Sequence, residues 1–176
     1  MVDIGTGDGR FVLDYAKQHP DTLCIGIDAS LDGLADASRR AARKPARGGV
    51  SNALFILCAA EQLPKELRGF ADIVTINYPW GSLLKAVIEP RVDIMKKIAR
   101  LAKPNASLRI LLNESQQLPS AELVHVVTAI KPACLEAGLR ITKSGLVDKP
   151  LAATTWGQKL VKGSGRQVLQ IHAALR

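Results

Sequence analysis

Aromatic residues are scarce in this chain of 176 residues, 4 % in all, and only two are tryptophans, Trp80 and Trp156. An interior built with so few rings has to be aliphatic, so each tryptophan calls for its own explanation. Cysteine is scarce too: Cys24, Cys58 and Cys134 lie far apart in apolar runs. That spacing excludes a structural metal cluster, and three thiols cannot all pair, so reduced core thiols are expected. No apolar run approaches the roughly 20 residues that span a bilayer, and no signal-peptide pattern opens the chain. A cytoplasmic protein with no membrane segment is the expectation. Acidic residues are the minority, 16 Asp and Glu against 24 Lys and Arg, giving a formal net charge of +8. An excess of that sign points to an anionic partner, nucleic acid before an anionic membrane surface. A basic protein with no such partner is the alternative.

What is present is an alternation of strand and helix patterns in one domain, residues 1–176. Val2 and Ile4 form a first short strand, and a helix over 9–18 presents Phe11, Val12, Tyr15 and Ala16 inward until Pro20 stops it. Leu23–Ile27, ending at Asp28, is a second strand. A helix from Ser30, a plausible N-cap, turns Leu31, Leu34 and Ala35 inward. Its tail carries Arg39, Arg40, Arg43, Lys44 and Arg47 and breaks at Pro45 and Gly48-Gly49. Ala53–Cys58 and Ala71–Ile76 are the third and fourth strands. A helical stretch from Ser82, interrupted at Pro90, has Val92, Met95, Ile98 and Leu101 inward. Ser107–Leu112 is the fifth strand, Ser120–Ala137 a helix capped by Gly138, and Arg140–Ser144 and Gln167–Ala173 the last two strands. The strands of the first half read as buried on both faces, as parallel strands between helix layers are. The alternation predicts a doubly wound α/β sheet with its ligand at the carboxyl ends of the strands.

The residues at those ends carry the chemistry. Asp3 precedes Gly5, Gly7 and Gly9 in Asp3-Ile4-Gly5-Thr6-Gly7-Asp8-Gly9-Arg10. Glycine lets the backbone turn sharply beside a ligand, and the helix that opens there offers free N–H groups. The dinucleotide fingerprint is G-x-G-x-x-G, and Arg10 stands where its third glycine would be, so the shorter loop suits S-adenosylmethionine better than NAD. A plain strand-to-helix turn is the competing account. Asp28 comes at the distance where a carboxylate accepts ribose hydroxyls, the role favoured here; it could also cap the next helix, and one residue could do both. Ala60 and Glu61 come after the third strand, placed to meet an adenine; Glu61 could also be a first-turn acid favoured by the helix dipole.

After the fourth strand comes Asn77-Tyr78-Pro79-Trp80-Gly81-Ser82. A polar residue, a proline and aromatics beside the methyl-donor site are close to the loop of enzymes that methylate nitrogens. The second tryptophan lies in Thr154-Thr155-Trp156-Gly157-Gln158-Lys159, within the connection between the last two strands. Two such rings can sandwich a flipped base, each stack contributing about 1–3 kcal/mol.

These stretches together resemble the aminoglycoside-resistance 16S rRNA methyltransferases, which modify N1 of adenine 1408 in the decoding site. The resemblance runs over essentially the whole chain, and the Pro-Trp-Gly and Thr-Thr-Trp pair is its specific part. It implies a class I, Rossmann-like fold with a mostly parallel seven-stranded sheet whose last strand is antiparallel. It implies S-adenosylmethionine as cofactor, and the 30S subunit with its 16S rRNA as partner of a monomer. By this resemblance Trp80, Trp156 and Thr154 hold the target base, while Asp3, Gly5, Thr6, Gly7, Asp28, Ala60, Glu61, Asn77 and Ser82 hold the cofactor. Arg39, Arg40, Arg43, Lys44, Lys159 and Arg166 would dock on rRNA, and no metal is expected. By the same resemblance a β-hairpin would precede the first strand, and it is expected to be missing from this sequence. A tRNA (guanine-N7)-type methyltransferase and a non-catalytic RNA-binding module on the same fold are the alternatives, with an NAD-dependent oxidoreductase a poor third. Neutral adenine N1 has no proton to lose, so His19, His125 and His172 are expected to be ordinary residues.

Overall fold

The structure is a computed structural model that describes residues 1–115, 117–147, 154, 157–158 and 166–176. Seven strands among them, β1 (Val2–Ile4), β2 (Cys24–Asp28), β3 (Ala53–Leu57), β4 (Ala71–Asn77), β5 (Ala102–Asn113), β6 (Leu139–Val147) and β7 (Val168–Leu175), join in one sheet. Their order is β3-β2-β1-β4-β5-β7-β6. β1 to β5 pair in parallel, and β7 runs antiparallel to both its neighbours. The helices are α1 (Arg10–Gln18), α2 (Leu31–Ala41), α3 (Gly81–Ile88), α4 (Val92–Leu101), α5 (Ser120–Leu123) and α6 (Val126–Glu136). The doubly wound sheet with its antiparallel last strand is as the sequence led us to expect. The order reverses between β1 and β4, and crevices for ligands open at such a reversal.

The core is aliphatic. On one face of the sheet Ile76, Ile94, Met95, Ile98, Ile110 and Leu112 are buried together. On the other, Phe11, Val12, Leu13 and Ala16 of α1 pack with Cys24 and Ala37. β1 is buried at every position, and β2 at all but its last. β3 departs from the expected double burial: it is an edge strand, and Leu54 and Leu57 are half exposed. Leu31, expected inward, is 60 % exposed. The apolar stripe of α2 starts only at Leu34 and continues through Ala37 and Ala41. The stretch 120–137 forms two helices, broken at the exposed Val124 and His125. The apolar period of Leu123, Val127, Ile130 and Cys134 runs straight through that break, so the sequence reads as continuous. All three cysteines are free thiols. Cys24 and Cys134 are core residues as expected, but Cys58 is only half buried. No helix among the described residues is long and apolar enough to cross a membrane.

One glycine inside a helix shows how the fold positions its loops. Gly33 lies in α2, where glycine costs about 1 kcal/mol relative to alanine. A Cβ there would sit 2.4 Å from the carbonyl oxygen of Gly7. The helix therefore rests directly on the backbone of the glycine loop. We expect Gly33→Ala to destabilise the protein by about 1–3 kcal/mol, against helix propensity, because the loop is displaced. Thermal melting checks this: a melting temperature at or above the parent's would show that the loop yields freely.

Candidate active site

A cleft of about 700 Å³ opens where the strand order reverses, at the carboxyl ends of β1 and β4. Its first wall is the glycine loop. Gly5, Gly7 and Gly9 all have positive φ, +74°, +58° and +65°, a region open to glycine with little steric cost. The N–H groups of Gly5 and Thr6 donate to the Ile27 carbonyl at 2.8 and 3.0 Å, which fastens the loop to the end of β2. A Cβ on Gly5 would lie 2.7 Å from Leu83. Asp28 completes this wall. Its Oδ2 accepts the Gly7 N–H at 2.7 Å and its Oδ1 accepts the Ser30 N–H at 2.9 Å. Ser30 sits at the N-cap position of α2, but its own side chain makes no cap bond. Each Asp28 oxygen keeps a further lone pair for a ligand hydroxyl.

The floor is polar and dry. Asp3 is 1 % exposed. β1 and β4 pair with Asp3 opposite Thr75, and Asn77 lies two residues on, on the same face. Thr75 Oγ1 donates to Asp3 Oδ1 at 2.6 Å, and Asn77 Nδ2 donates to the same oxygen at 2.8 Å. Burial pushes the Asp3 carboxyl up to about 6, against those hydrogen bonds and the nearby Arg109. Thr6 Oγ1 and Asn77 Oδ1 are buried without a protein partner, and both residues line the cleft. Buried polar atoms of that kind are suited to a ligand's donors.

The opposite wall is the aromatic loop. Tyr78 comes directly after β4, with φ +53°. The left-handed region costs an aromatic residue about 1–3 kcal/mol. The surrounding structure holds it there: its N–H donates to the Leu111 carbonyl at 2.9 Å, and its ring is buried with Leu111 and Val168. The turn carries Pro79 and Trp80 to the cleft, and Trp80 is 79 % exposed. This ring is not a core residue. Ser82, in the first turn of α3, lines the same wall.

Cys58, Ala59 and Ala60 form the third wall. Glu61 is not among the lining residues. Its carbonyl instead accepts Lys97 Nζ from α4 at 2.8 Å, which braces this wall from behind. Thr154 also lines the cleft. The structure thus gathers Asp3, Gly5, Thr6, Gly7, Asp28, Ala60, Asn77, Trp80, Ser82 and Thr154 around one cleft. Trp156 and Lys159 lie outside the described residues. Arg39, Arg43, Lys44 and Arg166 are exposed, with Arg40 half buried, and none of them lines the cleft. Arg39 pairs loosely with Asp36 at 3.6 Å. The loop after α2 is folded tightly: Gly49 passes so close to the Arg43 carbonyl that a Cβ there would overlap it. Among the described residues no histidine lines the cleft, and His19 is stacked on Tyr15. No group of metal-binding side chains occurs among the described residues.

The sequence reading missed Thr75, Leu83 and Lys97. The first two touch the site only through strand register and packing, and Lys97 reads as a solvated helix face. Charge is segregated more sharply than composition suggests. The charged residues lining the cleft are Asp3, Asp8 and Asp28, with no lysine or arginine among the described ones, in a chain of net charge +8.

Comparisons with known proteins agree with this geometry. The family described as "NpmA: 16S rRNA (adenine(1408)-N(1))-methyltransferase" matches residues 1–175. A 16S rRNA (adenine(1408)-N(1))-methyltransferase of Escherichia coli is 42 % identical over 122 residues, 69 % of this chain and 56 % of that protein. The match therefore spans little more than half the length of that relative. The crystal structure of the antibiotic-resistance methyltransferase Kmr superposes with a TM-score of 0.83 at 41 % identity, covering 99 % of this chain and 86 % of that one. A variant of the 16S rRNA (adenine(1408)-N(1))-methyltransferase from Catenulisporales acidiphilia, solved with cosubstrate SAM, gives 0.86 at 29 % identity, covering 99 % and 84 %.

The buried carboxyl sets a pH dependence. Asp3 titrates near 6 in the fold against an ordinary 3.8. Its contribution to stability is therefore full below about pH 4 and is lost as pH rises through 6. The loss is on the order of 3 kcal/mol. Denaturant unfolding from pH 4 to 7.5 is expected to show the parent losing stability relative to Asp3→Asn by about that amount. Parallel profiles would contradict it.

Proposed function

The chain belongs to the NpmA family of 16S rRNA (adenine(1408)-N(1))-methyltransferases, and on that premise we propose that it methylates N1 of adenine 1408 in the 30S subunit. S-adenosylmethionine, when bound, supplies a methyl group on a sulfonium, an electrophile that needs no activation by the protein. The observation that carries the reading is Trp80: a large ring, mostly exposed, at the mouth of a cleft built on the glycine loop. An exposed indole at such a site is a stacking platform for an extruded base.

The residues fit the cofactor. The orphaned Thr6 Oγ1 and Asn77 Oδ1 suit its polar groups, Asp28 its ribose, and the wall at Ala60 its adenine. Three aspartates, with no lysine or arginine among the described lining residues, favour a cationic ligand over an anionic dinucleotide. For the reaction the protein has to extrude the base, align N1 and exclude water, a task of positioning. No general base is required, and no histidine lines the cleft among the described residues. The faces of Trp80 and Trp156 favour the positive charge that arrives on the ring, by about 0.5–2 kcal/mol. Thr154, which lines the cleft, helps to hold the base. Arg39, Arg40, Arg43, Lys44, Lys159 and Arg166 make the phosphate contacts, and the enzyme acts as a cytoplasmic monomer. The added methyl and its charge obstruct an aminoglycoside in the decoding site, which gives resistance.

Incubation with 30S subunits and cofactor is expected to create a primer-extension stop at that adenine, with free tRNA inert. Methylation of tRNA instead would favour the guanine-N7 alternative. Trp80→Ala and Trp156→Ala are each expected to lower methyl transfer about 10–100-fold, the value of a lost stack, while calorimetry finds cofactor affinity unchanged. In salt titrations of 30S binding, Arg43→Ala and Lys44→Ala should each flatten the logarithmic slope by about 1. An unchanged slope removes that loop from the docking surface.

A further inference from the structure

The hydrogen bond from Arg10 to Gln158 joins parts of the chain that are 148 positions apart. Arg10 Nη1 donates to Gln158 Oε1 at 2.8 Å. Arginine has no acceptor, so the carbonyl end of the glutamine faces it. We propose that Arg10 is a positioning residue, latching the turn that carries Thr154 to the glycine loop and so setting the base-holding side of the cleft against the cofactor side. The proposal rests on the methylation reading given above.

Both ends of the latch are built in. Arg10 is the first residue of α1, and its N–H donates to Asp8 Oδ1 at 3.1 Å, closing the glycine loop. At the other end, Thr154 Oγ1 accepts the Gly157 N–H at 2.8 Å, and the Thr154 carbonyl accepts the Gln158 N–H at 2.9 Å. Thr154 lines the cleft, Gly157 is buried and Gln158 half buried. The bond ties Gln158, and through it the Thr154 that lines the cleft, to the first residue of α1. A charged donor on a neutral acceptor is stronger than a neutral pair. One N–H of the Arg10 guanidinium is thus engaged by protein.

The test is a double-mutant cycle on the full chain with Arg10→Met, Gln158→Leu and the pair. Each single change is expected to lower kcat/KM for 30S about tenfold and to leave the cofactor dissociation constant within about twofold. The double variant is expected to be no worse than the poorer single, because both remove the same bond. Multiplicative losses in the double variant, parent-like rates in the singles, or a loss confined to cofactor affinity would each overturn the latch. Hydrogen exchange at the Gly157 and Gln158 amides gives a readout that does not need activity. It should quicken in Arg10→Met, and unchanged exchange would overturn the proposal. A parent protein that leaves 30S unmethylated sinks the functional reading instead, and the exchange measurement then still decides the latch.

Discussion

Gly7 is gripped from two sides, and the geometry of the cleft depends on it. Its N–H is held by the Asp28 carboxylate at the end of β2. Its carbonyl lies against the backbone of α2 at Gly33, too close for any side chain. The loop is therefore not a free glycine-rich hinge. It is a left-handed turn wedged between a strand end and the next helix but one, α2. Asp28 serves at once as loop clamp, as acceptor for the first free N–H before α2 and as the carboxylate at the ligand wall. Capping does not exhaust the carboxylate, since each oxygen accepts one backbone N–H and keeps a further lone pair.

The rest of the cleft obeys the same logic, in which unfavourable local states are stabilised by distant contacts. Asp3 is buried and raised to about 6, yet Thr75 and Asn77 hold it from the neighbouring strand. Tyr78 adopts a left-handed backbone that its residue type disfavours, and a β5 carbonyl together with a buried ring holds it there. Such strain next to a cleft aims the next two residues, Pro79 and the exposed Trp80. A relaxed, extended Tyr78 would carry the indole elsewhere.

Much of this was legible in the sequence, because it is local. Three glycines at alternate positions, a carboxylate ending the next strand, and a proline between aromatics each declare a turn at a strand end. The apolar alternation placed the strands within a residue or two at most ends. What could not be read depends on contacts between segments. Thr75 matters only because the register sets it opposite Asp3. Gly33 looks like a poor helix residue until Gly7 is beneath it. Leu54 and Leu57 read as core and are half exposed because β3 is the sheet's edge, which is a fact of strand order. Glu61 has the right place in sequence, but its 3-10 turn gives its carbonyl to Lys97 and leaves the lining to Ala60.

Charge separation links fold to function most directly. A chain of net charge +8 that lined its cleft at random would put lysine or arginine there; the described lining residues bear three aspartates instead. Five of the 24 lysines and arginines cluster on the tail of α2 and the compact turn after it; Arg39, Arg43, Lys44 and Arg47 are exposed and Arg40 is half buried. A polyanion approaching that basic surface is repelled from the acidic cleft, and a small cation is drawn in. The dry floor at Asp3 strengthens the second effect, because interactions there are less screened by water. Under the proposed methylation, the acidic lining suits a cationic cofactor, and the exposed Trp80 indole suits the uncharged face of a base.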